Sequence, residues 1–163
     1  MIANTHHNGG SVIVLSFVVA LMLTAMPLPD WALNWRPAWV TMVLIYWCMA
    51  LPERVGIGIG WVLGLLLDVQ QGTILGQHAL GLAIIAYITI ASHQRMRVFP
   101  LLQQALLVCA YLLLLQLFNL WIRSLIGVPP EDWTFWTPPF TSMFIWPWLF
   151  IILRDVRRKF HVF

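Results

Sequence analysis

Asp68 is the residue whose type and setting most readily suggest chemistry. It stands in "GLLLDVQQGTILG" (residues 64–76), at the end of a run otherwise built of Gly, Trp, Val and Leu. An ionisable group beside that much apolar sequence is costly and needs a purpose. It could relay a proton, bind a substrate, or order the end of a buried helix. A relay needs a second buried ionisable partner, and no other acid or lysine lies clearly mid-span. The polar residues nearby are Gln70, Gln71, Thr73, Gln77 and His78. His78 stands at the start of the next apolar run, where it could face Asp68 across the turn. The structural reading is preferred: Asp68 accepts N–H groups of "VQQGT" or caps the following helix. Gly72 and Gly76 then shape the same turn.

A second pattern precedes it. Gly56, Gly60 and Gly64 recur every four residues, with Trp61 in the same segment. Each step of four drifts about 40° around a helix, so the three glycines share a face. Overlapping G-x-x-x-G units on an apolar helix let a neighbouring helix approach closely. That neighbour belongs either to this subunit or to a partner. In the second case, replacing Gly60 and Gly64 with Leu is expected to weaken a complex.

Other chemistry finds little footing. G-x-S-x-G, H-E-x-x-H and Walker A patterns are absent from the sequence. No catalytic residue, cofactor or metal site is expected, and the chain reads as a non-enzyme. His6 and His7 read as part of a disordered, short N-terminal tail (residues 1–10), with metal binding by the pair the weaker alternative. Cys48 and Cys109 each sit alone in an apolar run and read as small core residues. The tail from residue 154 to 163 carries Arg154, Arg157, Arg158 and Lys159, a basic cytoplasmic anchor. Such residues attract anionic headgroups with roughly 1 kcal/mol each.

The elements that must position these residues follow from composition. The 163 residues are 61% hydrophobic and 9% charged, against roughly 25% charged in a soluble domain. Such a surface cannot face water, so the chain reads as an integral membrane protein, all-α, with one transmembrane domain over 1–163. Nine Lys and Arg in all are too few to track nucleic-acid phosphates. No cleaved signal peptide is expected, because the first apolar run ends in "TAMPLPD".

Six spans are read at Ser11–Leu28, Pro37–Leu51, Val55–Val69, Leu75–Ser92, Leu101–Ile126 and Pro138–Leu153. The third is short for a crossing, and Pro147 is expected to bend the sixth. Trp31 and Trp35 suit interfacial anchors. Arg54, Arg95, Arg97, Arg154, Arg157, Arg158 and Lys159 fall on one side, and Arg36 and Arg123 on the other. The positive-inside rule then puts both termini in the cytoplasm. Asp30, Asp68, Glu131 and Asp132 fall on the outer side.

Several of these stretches are familiar together. "RPAW", "YW.MALPERV", "G...LLLD...G..LG" and "WPW" resemble the MreD family of rod shape-determining membrane proteins, and the likeness covers nearly the whole chain. The resemblance implies a multi-pass protein of the bacterial inner membrane that binds MreC, acting within the elongasome. There it would support peptidoglycan synthesis and rod shape alongside RodA, its penicillin-binding transpeptidase partner and MreB. The six-helix bundle is likened to the substrate-binding subunits of energy-coupling-factor transporters. The alternative is a small-molecule or lipid-binding transporter subunit, motivated by Asp68 in a broken, glycine-rich segment.

Overall fold

A proline or glycine closes most of the apolar runs, and the helices follow those stops. The computed structural model describes residues 8–27, 29–30, 35–53, 55–72, 75–127 and 136–160. His6, His7, Trp31, Arg54, Thr73, Glu131 and Asp132 lie outside the described residues. Six helices and no strand are found among those described. They are α1 (Asn8–Ala25), α2 (Trp39–Ala50), α3 (Ile57–Gln71), α4 (Gln77–Val98), α5 (Leu101–Ile126) and α6 (Thr137–Lys159).

Pro100 precedes α5 in extended conformation, and Gly127 ends the helix in the left-handed region with φ 90°. Its N–H closes on the Arg123 and Ser124 carbonyls, which would otherwise be left open. Prolines occupy the first turn of α6, where a missing N–H costs little. The helix continues through Pro147 to Lys159.

α1 begins at Asn8, inside the expected N-terminal tail, and stops at Ala25 rather than Leu28; two other ends differ most from the expectation. α4 runs to Val98 instead of Ser92, and α6 to Lys159 instead of Leu153. Residues 154–159 are thus the last turns of a helix, not a tail. Apolarity stops where charge begins, but helical hydrogen bonding does not. Arg95, Arg97, Arg157, Arg158 and Lys159 sit in final turns, where cations suit the negative end of the helix dipole.

α2 is the centre. It packs against α1, α4, α5 and α6, and every residue from Val40 to Ala50 is buried. A helix apolar on all sides belongs in such a position. Polar ties hold it in place. Trp47 Nε1 donates to Ser16 Oγ on α1 at 2.9 Å, and the Ala38 N–H donates to Ser142 Oγ on α6 at 3.0 Å. The Tyr46 ring meets Trp47 and Phe150 edge-on, with centroids 5.2 and 5.5 Å apart.

Arginines close two helix ends. Arg36 Nη1 and Nη2 donate to the Thr24 and Met26 carbonyls where α1 stops, each at 2.6 Å. At the opposite end of the bundle, Arg97 Nε and Nη2 donate to the Met49 and Ala50 carbonyls of α2, each at 2.8 Å. Both satisfy carbonyls that a helix C-terminus leaves open.

Among the described residues, α5 is the helix long and apolar enough to cross a membrane by itself. α2 and α3, with 12 and 15 residues, extend about 18 and 22 Å. Both fall short of a hydrocarbon core of about 30 Å.

Candidate functional site

α3 and α4 form the most extensive helix pair in the structure, and the glycines explain why. A Cβ built on Gly64 would collide with the backbone N and Cα of Ala79. One built on Gly60 would stand 3.0 Å from the Leu82 carbonyl oxygen and 3.3 Å from Ala86 Cβ. Gly60 and Gly64 therefore face α4 of the same chain. Gly56 lies before the helix, with nothing within 4 Å of a built Cβ, so it does not join that face. The three-glycine face expected from the spacing is corrected to two. Trp61 points elsewhere and is half exposed.

The turn that follows brings Asp68 to α4. Gly72 ends α3 at φ 69°, and its N–H closes on the Asp68 backbone carbonyl. Gly76, at φ 104°, occupies the cap position of α4 and has no side chain to offer. Asp68 supplies one from eight residues away. Oδ2 accepts the Gly76 N–H at 2.8 Å, and Oδ1 accepts the His78 N–H at 2.9 Å. Oδ1 also meets His78 Nδ1 at 2.8 Å. Asp68 is 1% exposed, and these donors offset the desolvation of its carboxylate. The N–H groups contacted are those opening α4, where a negative charge is favoured; none of those contacts lies in "VQQGT". An ionised carboxylate only accepts, so Nδ1 of His78 carries the proton toward it.

His78 also lines a cavity of about 370 Å³ at this end of the bundle. Thr24, Arg36, Gln77, Asn119 and Arg123 share its wall. Arg36 and Arg123 are the two basic residues that the sequence places apart from the other seven, and the fold brings them to one space. Asn119 is 7% exposed and its Oδ1 has no hydrogen-bond partner; Arg36 Nε is buried and likewise unpaired. No carboxylate lines this cavity among the described residues. It can receive an anionic group that also carries a hydrogen-bond donor. Among the described residues, no group of three His, Cys, Asp or Glu could hold a metal ion.

Asn119 gave no signal in the sequence, and nothing there placed Arg36 and Gln77 in one wall, because all six helices contribute to it. Gly81 on α4, which meets the Leu115 side chain of α5, gave no spacing signal either. Arg154, Arg157, Arg158 and Lys159 lie at the far end of the bundle, on the closing turns of α6.

The chain matches the family model described as rod shape-determining protein MreD over residues 6–156. It is also similar to the rod shape-determining protein MreD of Haemophilus influenzae. The two are 34% identical over 143 residues, covering 88% of each chain. No solved structure matches it. With a matched model spanning most of its length and a relative this similar, the chain belongs to the MreD family of rod shape-determining membrane proteins.

Proposed function

We propose that this chain is a non-enzymatic, multi-pass scaffold of the bacterial inner membrane that binds MreC and supports lateral peptidoglycan synthesis in the rod complex. Family membership carries the reading. Both termini lie in the cytoplasm, as the basic residues favour, and the six helices all cross, with their flanking residues making up the short lengths of α2 and α3. RodA, its transpeptidase partner and MreB are reached within the same complex.

Because the Gly60–Gly64 face is covered by α4, the MreC helix takes another surface. The outward stripe of α3 is the best fit: Trp61, Val62, Leu66 and Val69 are all at least 47% exposed, and Trp is enriched among residues that anchor interfaces. Photo-crosslinking residues at Trp61 and Leu66 should capture MreC in native membranes, whereas Leu106 on α5 should not. An intact complex without α3 crosslinks would remove this stripe from the interface.

A second reading, a ligand-binding or transport subunit, is favoured by the unpaired Asn119 Oδ1 in the cavity beside His78. Native mass spectrometry of the purified protein would show a bound small molecule that Asn119→Leu abolishes. A mass spectrum identical in both proteins would remove that reading.

A further inference from the structure

The opposite end of the bundle holds a second cavity, of about 440 Å³, between the end of α2 and the basic ends of α4 and α6. Its size falls within the range of about 300–1,000 Å³ typical of ligand pockets. Tyr46, Arg97, Gln104, Phe150, Arg154 and Arg157 line it. Among the described residues none of its three arginines forms an ion pair with a carboxylate. Arg97 spends Nε and one Nη2 hydrogen on the Met49 and Ala50 carbonyls, which leaves the two Nη1 hydrogens and the second on Nη2. Arg154 lies with its Cζ 6.0 Å from the Phe150 ring centroid, and its Nε is buried and unpaired.

Gln104 adds an independent observation. It is 2% exposed, and its Nε2 donates to the Met96 carbonyl at 2.8 Å and the Phe99 carbonyl at 3.3 Å. Those two bonds fix the orientation of the amide, so Oε1 is the atom left over, and it has no partner. A buried acceptor without a donor is costly. The site therefore offers three guanidinium groups for an anion and one carbonyl oxygen for a hydroxyl.

We propose that this cavity binds the headgroup of an anionic phospholipid of the phosphoglycerol type. Its phosphodiester meets Arg97, Arg154 and Arg157, and a glycerol hydroxyl donates to Gln104 Oε1. A choline headgroup has no donor for Oε1, and an ethanolamine brings a positive charge among three arginines. The position favours a lipid over a free phosphate. The cavity opens where α2 and α4 end and α5 begins, the depth at which headgroups lie, with Phe150 as an apolar wall.

The test is native mass spectrometry of the full chain released from phosphatidylcholine nanodiscs containing phosphatidylglycerol. Removing each guanidinium should lower phosphatidylglycerol retention about fivefold, so Arg154→Gln with Arg157→Gln should lower it roughly 25-fold. Arg158→Gln with Lys159→Gln removes the same charge outside the cavity and, losing only surface attraction, should lower retention by less than about fivefold. Should the first double variant fail to fold, Arg157→Gln alone carries the test, with about fivefold expected. Equal losses in both double variants would reduce the effect to general surface attraction and overturn the site. So would thermal protection by glycerol 3-phosphate with none by phosphatidylglycerol, which would point to a soluble ligand.

Discussion

The backbone of Ala79 fills the space in which a side chain at Gly64 would stand. Three neighbouring glycines should consequently respond to alanine in a fixed order. Gly58 has nothing within 4 Å of a built Cβ, so Gly58→Ala should stabilise by up to about 1 kcal/mol through helix propensity alone. At Gly60 a similar gain meets a contact of 3.0 Å to Leu82, and the two should nearly cancel. Gly64→Ala should destabilise by about 3 kcal/mol, the upper end for overpacking, because backbone cannot turn aside. Thermal unfolding in detergent reads all three, and a Gly64→Ala protein as stable as the parent would contradict the packing.

Asp68 is expected to act through structure. Asp68→Asn exchanges an accepting oxygen for a donor that faces the Gly76 or His78 N–H, costing about 2 kcal/mol. Asp68→Ala should cost more, since both N–H groups then lose their acceptor. Rod shape in complemented cells should decline with the amount of folded protein. Full folded levels with lost rod shape would show instead that the charge itself is used.

Arg36 and Arg97 serve as helix caps. Arg36→Lys and Arg97→Lys keep the charge but lose the two-pronged donation, so each should cost about 1 kcal/mol. Cysteine-accessibility mapping should find the topology unchanged. A lysine variant with the parent's melting temperature would mean that the caps contribute nothing measurable.

Cys48 offers a reading of how tightly α2 is enclosed. Its side chain is fully buried, so a maleimide should label it only after denaturation. Rapid labelling in native membranes would show that the centre of the bundle opens.

Much of the scaffold was legible in the sequence because membrane helices announce themselves by apolar runs and their stops. Leu101–Ile126 emerges with the same bounds in both. The ends of α4 and α6 were misjudged because hydropathy falls before helicity does. The Asp68 turn was visible as one charge among apolar residues followed by glycines. Which N–H groups it accepts was not, because that depends on how α4 folds back. The pairing of Arg36 with α1 and of Arg97 with α2 was equally hidden. Both contacts join residues that only the tertiary arrangement brings together, and the same holds for the two cavities.

The enclosure of α2 sets an order on biogenesis. The Ser142 hydroxyl that receives the Ala38 N–H is synthesised 104 residues later, and Phe150, against Tyr46, later still. When α2 leaves the ribosome, most of its final neighbours do not yet exist. It must wait beside lipid or an insertase, and only the last helix of the chain closes the compartment around it. A ribosome stalled before Thr137 would therefore hold a protein whose centre is still its surface.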